Sequence, residues 1–175
     1  MVMDADVPVV ASGGKSDFQY GNDPAMLYPP VKVDRILHDG DKVRLGNTVL
    51  VAHLTAGHTK GCTTWTMQVA ENGKNENVVI VGGPYATSDY RLVNNKSYPN
   101  IAADYEHSFQ VLKSLPCDIF LGAHGLYFDL ENKYARMGKD KVNPFIDPEG
   151  YKKFIAQKEQ DFYTLLAEQK AEATK

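Results

Sequence analysis

The chain has 175 residues, 43% of them hydrophobic, so it is long enough to bury a core, and its length suggests one domain. Its formal net charge is −3, with lysines scattered along the sequence, which argues against a nucleic-acid-binding surface. The longest apolar runs fall far short of the roughly 20 residues that span a bilayer, so no transmembrane helix is predicted.

The first half of the sequence predicts short strands joined by turns. Apolar alternation and β-branched residues predict strands at 6–11, 31–37, 42–45, 48–54, 62–69 and 78–81. Glycine, proline and asparagine predict loops at 15–30 and 71–77. The Gly46-Asn47 pair between two of the strands predicts a hairpin turn.

The second half predicts helices that alternate with strands. The helices are predicted at 99–115, 129–136 and 149–172, with a buried strand at 117–121. The intervening loop at 85–99 is long, and long loops at strand ends are frequent sites of function. The order of elements predicts an α/β (α+β) fold, in which one mixed sheet carries helices on one face.

Two histidines stand in glycine-flanked loops that follow predicted strands. His58 lies between two glycines after the strand at 48–54, and His124 lies in a Gly-Ala-His-Gly sequence after the strand at 117–121. Neutral imidazole is the commonest metal-ligating side chain. Both histidines are therefore candidate metal ligands, although a glycine-flanked histidine on its own is more often a turn or core residue.

The other three histidines are weaker candidates. His53 lies in the strand before the His58 loop, close enough in sequence to be considered as a ligand. His38 precedes an Asp-Gly turn and His107 falls off the apolar face of its helix, so both are expected in solvent.

Three segments carry a resemblance to a known family. The string from Leu54 to Trp65, L-T-A-G-H-T-K-G-C-T-T-W, resembles the second metal-ligand motif of the metallo-β-lactamase superfamily. Its Cys-Thr-Thr-Trp ending is similar to the third subclass, B3, of the true metallo-β-lactamases. Residues 7–18 and 121–137 resemble further segments of the same enzymes in the same order, so the resemblance covers nearly the whole chain.

This resemblance implies an αβ/βα sandwich that holds two zinc ions, with His58 as a ligand of one and His124 as a ligand of the other. It implies hydrolysis of β-lactams by zinc-activated water. The H-x-H-x-D-H motif that supplies other zinc ligands in the family is absent from this sequence. Residues 1–175 are therefore expected to form one partial domain, the C-terminal half of the sandwich, with two of six ligands and no activity alone.

The resemblance also implies roles for a loop and for the two cysteines. Tyr85, Thr87 and Ser88 occupy the region where relatives contact the β-lactam carboxylate, and an ordinary surface loop is the open alternative. Relatives often bridge the position of Cys117 to a second cysteine, but Tyr151 occupies the partner's place here. No bridge between Cys62 and Cys117 is expected, and both are expected to be buried and reduced.

Localisation, partners and substrate remain expectations at this point. Family members are typically exported, so a periplasmic or secreted protein is expected, although this sequence contains no signal peptide. The expected partners are a β-lactam and the N-terminal half, with no nucleic acid or membrane. The alternatives are a thioester or lactone hydrolase of the same superfamily, and a non-catalytic fragment or dimeric module that buries its inner sheet face against its own copy.

Overall fold

The computed structural model describes residues 1–71 and 73–174. A five-stranded mixed sheet forms its centre, in the order β3-β4-β5-β6-β7. The four neighbours β3 to β6 are antiparallel, and β7 runs parallel to β6. The strands of this sheet are β3 (Lys42–Leu45), β4 (Thr48–Leu54), β5 (Thr63–Glu71), β6 (Lys74–Val81) and β7 (Ile119–Gly122). A separate two-stranded parallel ribbon pairs β1 (Val2–Met3) with β2 (Ile36–Leu37).

The α-helices are α1 (Val7–Ala11), α2 (Ile101–Ser114), α3 (Leu130–Arg136) and α4 (Pro148–Ala173). Short 3-10 turns occupy Asp4–Asp6, Pro24–Met26 and Gly125–Phe128. The long helix α4 begins at a capping residue, since the Asp147 carboxylate accepts a hydrogen bond of 2.8 Å from the Gly150 amide. Within the described residues, no helix combines the length and apolarity needed to cross a membrane.

The two faces of the sheet differ in how they are covered. Val79, Val81 and Phe120 face α2 and α4, and together with the aromatic residues of those helices they form the main core. The strand register places Trp65 and Ile80 on the opposite face, where they are only half-buried. The predicted mixed sheet with helices on one face is confirmed, and the opposite face is the one that a sandwich partner would cover.

Three of the local predictions from sequence were wrong. Residues 6–11 form the end of a 3-10 turn and α1 rather than a strand, because Pro8 stands in the first helical turn, where its missing N–H costs nothing. Of residues 31–37, only Ile36–Leu37 find a strand partner. Residues 71 and 74–77 belong to β5 and β6, where Glu71 pairs with Lys74; residue 72 of that predicted loop lies outside the described residues.

Both cysteines are free, as predicted. The Cys62 thiol is buried and accepts a hydrogen bond of 3.0 Å from the Gly83 amide. Burial raises the pKa of the Cys117 thiol to about 12, so it stays protonated at neutral pH. Tyr151 lies beside Cys117 and donates a hydrogen bond of 2.6 Å to the Leu112 carbonyl, which ties α4 to α2 without a covalent bridge.

Candidate functional site

The loop between β4 and β5, residues 55–62, carries His58 at the rim of the sheet. Its ends are closed by the Thr55 amide, which donates 2.8 Å to the Cys62 carbonyl. Gly57 has a φ of 137°, and a Cβ at this position would lie 2.6 Å from the ring of Tyr105. The loop therefore needs glycine at this position both for its backbone conformation and for its contact with the core.

Asp6 anchors the other side of the same loop. Its carboxylate accepts a 2.7 Å hydrogen bond from the Gly61 amide and a 2.5 Å bond from the Thr59 hydroxyl. Burial raises the pKa of Asp6, although these two hydrogen bonds act in the opposite direction. An N-terminal residue thus fixes the backbone on the C-terminal side of His58.

Tyr90 holds the imidazole of His58 from the side. The two rings stack at 5.7 Å with an interplanar angle of 16°. The Tyr90 hydroxyl donates 2.9 Å to the His58 carbonyl and lies 3.3 Å from its Nδ1. Gly83 closes the opposite side, where an added Cβ would approach the imidazole to 2.6 Å. The ring is therefore confined on two sides.

The electrostatic setting favours the neutral form of His58. Burial lowers the pKa of its imidazole and the proximity of His124 adds to this, although a hydrogen bond with the backbone of Tyr85 acts in the opposite direction. A neutral imidazole retains the lone pair that a metal ion requires.

His124 follows β7 at the same rim of the sheet. The Ala123 amide donates 2.9 Å to the Val81 carbonyl, which continues the parallel pairing up to the loop, and the His124 side chain is exposed. His124 and His58 are joined by two tyrosine rings: His124 to Tyr127 is 5.1 Å, Tyr127 to Tyr85 is 5.9 Å, and Tyr85 to His58 is 5.1 Å between centroids. The two histidines therefore lie on the same rim of the sheet and are connected by ring contacts through Tyr85 and Tyr127.

The three residues predicted to bind substrate, Tyr85, Thr87 and Ser88, differ in where they lie relative to this rim. Tyr85 lies between the two histidines, as just described. Thr87 has a buried hydroxyl that finds no hydrogen-bond partner within the described residues. Ser88 is exposed and lines a groove against the end of α4 rather than the rim. The roles of all three in substrate binding remain predictions.

His53, the weaker ligand candidate, is placed away from the rim. Its Nε2 lies 2.7 Å from the Thr66 hydroxyl, on the next strand. The register of β4 and β5 puts both residues on the helix-covered face of the sheet. His53 therefore bonds to the neighbouring strand of the sheet and does not join His58 and His124 at the rim.

Asp6 and Tyr90 were missed by the reasoning from sequence. Asp6 is separated from its partner Gly61 by 55 positions, and Tyr90 from His58 by 32. No local pattern indicates either contact. Tyr90 lies in the long loop predicted at 85–99, whereas Asp6 lies in a segment whose composition predicted a strand, so its sequence carried no signal of this role.

The two histidines fit part of a zinc site. Imidazole nitrogen suits zinc, and the neutral state of His58 favours binding. A catalytic zinc takes three protein ligands, however, and residues 1–71 and 73–174 contain no cluster of three or more histidine, cysteine, aspartate or glutamate residues suited to a metal. The described residues therefore provide a partial ligand set.

No protein-family model matches the sequence. Among solved structures, the chain is similar to the native FEZ-1 metallo-β-lactamase from Legionella gormanii, with 55% identity and a TM-score of 0.95 over 97% of this chain and 65% of that one. It is similar to BJP-1, a subclass B3 metallo-β-lactamase of Bradyrhizobium japonicum, with 32% identity and a TM-score of 0.89 over 98% of this chain and 64% of that one.

A third similar structure is LRA-12, a class B3 di-zinc metallo-β-lactamase from an Alaskan soil metagenome. It shares 30% identity and a TM-score of 0.85 over 95% of this chain and 62% of that one. This chain thus spans less than two thirds of the length of each of the three structures.

Proposed function

Because this chain is similar in fold and sequence to part of the subclass B3 metallo-β-lactamases along nearly its whole length, we propose that it is a portion of a zinc-dependent β-lactam hydrolase. In this proposal His58 and His124 each provide one ligand to one of two zinc ions. The remaining ligands would come from outside these residues, either from the same protein or from another chain.

The observation that carries the proposal is the meeting of His58 and His124 at one rim of the sheet. Each follows the end of a different strand, and Tyr85 and Tyr127 fill the space between their rings. Such strand ends are where ligands collect in sheet proteins. Because β-lactamases hydrolyse a strained amide, the site must hold the lactam carbonyl within reach of the metals.

When bound, zinc would supply a Lewis acid that polarises the lactam carbonyl. The residues of this chain have the task of holding that site in place. Asp6 and Tyr90 fix the backbone and ring of His58, and neutral His58 offers its lone pair without first losing a proton. Tyr85 contacts the rings of His58 and Tyr127, and in this proposal it offers an aromatic surface to the substrate.

Two further expectations accompany this proposal. We propose that the half-buried face around Trp65 and Ile80 is covered by the part of the sandwich that lies outside these residues, or by a second copy of the chain where that part is missing. We also propose that the parent protein is periplasmic or secreted, on the basis of the family resemblance alone.

The ligand deficit gives the first test. We expect the 175-residue chain to show no useful hydrolysis of a chromogenic cephalosporin in zinc-containing buffer, since each metal would have one protein ligand from it. The measurement compares the chain with its His58→Ala variant. Robust turnover that the substitution abolishes would mean that the chain completes a site by itself, and the partial-site proposal would be wrong.

The substrate class is tested with a fusion protein. The fusion joins this chain to the part of FEZ-1 that it does not match, which supplies the missing third of that fold. We expect the fusion to hydrolyse the cephalosporin faster than a thioester or a lactone of similar size. Preference for the thioester or the lactone would move the protein to another hydrolase of the same superfamily.

A further inference from the structure

The side chain of Gln169, near the end of α4, forms hydrogen bonds to the backbone of the loop that carries Tyr90. Its side-chain Oε1 accepts hydrogen bonds from the Leu92 amide at 2.7 Å and from the Val93 amide at 3.4 Å. Its Nε2 donates 2.7 Å to the Tyr90 carbonyl. One amide side chain therefore satisfies both donors and acceptors of the loop backbone, across 76 to 79 positions of sequence.

These bonds lie on the far side of the loop from His58. Gln169 and most of the segment 88–94 line a groove of about 580 Å³, which neither His58 nor His124 lines. The same Tyr90 whose carbonyl is held by Gln169 sends its side chain into the core, where its hydroxyl bonds to the His58 carbonyl at 2.9 Å. Gln169, Tyr90 and His58 are thus consecutive members of one hydrogen-bonded chain.

We propose that Gln169 is a positioning residue for His58, acting through Tyr90. The terminal helix packs on α2 and the sheet, so it offers a fixed point from which Gln169 sets the backbone of the loop. Tyr90 in turn positions His58, because its ring stacks on the imidazole and its hydroxyl bonds to the His58 carbonyl. The proposal depends on the proposed function only in treating His58 as a metal ligand, and its test uses neither metal nor substrate.

The loop is also held from the opposite side. The Tyr20 hydroxyl donates 2.7 Å to the Asp89 carboxylate, and the ring of Phe18 packs edge-on against Tyr90 at 5.4 Å. These contacts restrain the start of the loop and the outer edge of the ring. Within residues 1–71 and 73–174, the Leu92 and Val93 amides donate only to Gln169, so we expect the loss of Gln169 to affect those two residues and Tyr90 first.

The chemistry of glutamine gives three graded variants. Gln169→Leu removes both the acceptor and the donor while keeping the side chain close in size. Gln169→Glu keeps an acceptor for the Leu92 amide but loses the donor to the Tyr90 carbonyl. Gln160→Leu is the control, because Gln160 is exposed on the same helix and its side chain reaches only Thr164.

The experiment records amide hydrogen exchange and the imidazole resonances of the metal-free chain by NMR. We expect Gln169→Leu to speed exchange of the Leu92 amide by about tenfold, because that amide loses the acceptor it has among the described residues. We also expect the His58 ring resonances to shift while those of His53 stay in place. In Gln169→Glu the Leu92 amide should stay protected, but the His58 resonances should still move. Gln160→Leu should change neither.

Two results would overturn the proposal. One is a Gln169→Leu variant whose Leu92 exchange and His58 resonances match the parent. The other is an equal rise in exchange at the Leu92 amide and throughout β5 and β6, since that would show only a loss of global stability. Zinc binding or catalysis could fail altogether without affecting either readout, so the two proposals fail separately.

Discussion

The two loops that carry His58 and His124 meet at one rim, yet they are built in different ways. The His58 loop is fixed from three directions, by Asp6, by Tyr90 and by the packing of Gly57 on Tyr105. His124 is exposed and begins a 3-10 turn without a side-chain cap. The first loop is preformed by the described residues, whereas the second presents its histidine with few contacts.

The support for the His124 loop comes from behind it instead. Asp129 ends the turn with a left-handed φ of 55°, and α3 follows directly. The amine of Lys133, on α3, lies 2.7 Å from the Asp147 carboxylate at the start of α4. His58 is thus held by contacts of its own loop, whereas the position of His124 depends on how the neighbouring helix α3 is docked.

The largest effect is expected from Gly57→Ala. The new methyl group would collide with the Tyr105 ring in a backbone conformation that alanine rarely adopts. We expect the free energy of unfolding to fall by about 3 kcal/mol or more, measured by urea denaturation. Gly46→Ala is the matched control, because Gly46 also has a positive φ but has open space around it, and its cost should stay near ~1 kcal/mol. Equal costs for the two variants would contradict the packing argument.

A smaller loss is expected from Asp6→Ala, which removes the carboxylate that holds the His58 loop. The buried Gly61 amide and the Thr59 hydroxyl would both lose their acceptor. Hydrogen bonds to charged groups are worth about 1.5–3 kcal/mol, and burial of the carboxylate offsets part of this, so we expect a net loss of about 2 kcal/mol. Exposed Asp4→Ala serves as the control. An Asp6→Ala chain that is as stable as the parent would show that the loop is held elsewhere.

The smallest of the three losses is expected behind the His124 loop, from Lys133→Met. Lys133 is 4% exposed and Asp147 is partly solvated, so we expect a loss of about 1–2 kcal/mol at neutral pH. Lys152→Met, which breaks an exposed ion pair with Glu149, should change stability by less than ~0.5 kcal/mol. Similar effects of the two substitutions would mean that burial adds nothing to the Lys133 pair.

The Lys133 pair also predicts a dependence on pH. Burial acts to raise the pKa of Asp147, but the hydrogen bonds from Lys133 and the Gly150 amide, together with the charge of Lys133, outweigh burial and the pKa is lowered. Because the pKa of Asp147 is lowered in the folded state, the pair stabilises the fold fully at any pH above the ordinary carboxyl pKa of 3.8. This stabilisation is lost as the pH falls below 3.8 toward the lowered pKa. The stability gap between the parent and Lys133→Met should therefore shrink on acidification. A gap that widens in acid would contradict this assignment.

The fold was largely predictable because its central elements carry strong periodic signals. The apolar runs of β4 and β6 and the amphipathic helices α2 and α4 appear in the structure with ends shifted by a few residues. The wrong predictions concern segments whose secondary structure depends on a neighbouring segment rather than on their own sequence pattern. Residues 31–35 have strand-like composition but no strand beside them, and α1 is a five-residue helix too short for its periodicity to be read.

The site was predictable only in part, for a related reason. His58 and His124 are marked by glycines next to them in sequence, and those signals are local. Asp6, Tyr90 and Gln169 act across 32 to 79 positions, through hydrogen bonds between distant segments that leave no periodic trace in the sequence. Whether the two histidines bind zinc remains a prediction, since the fold brings them together but the described residues supply no third ligand.

The central claim is that His58 and His124 are zinc ligands of a site completed from outside this chain, and zinc content of the FEZ-1 fusion tests it most directly. The fusion is dialysed against zinc-free buffer and its metal is counted for the parent and for His58→Ala, His124→Ala and the exposed control His107→Ala. We predict that the parent and the control keep two zinc ions, as in a di-zinc enzyme, and that each of the other variants retains fewer. Two firmly held zinc ions in both His58→Ala and His124→Ala would contradict the claim.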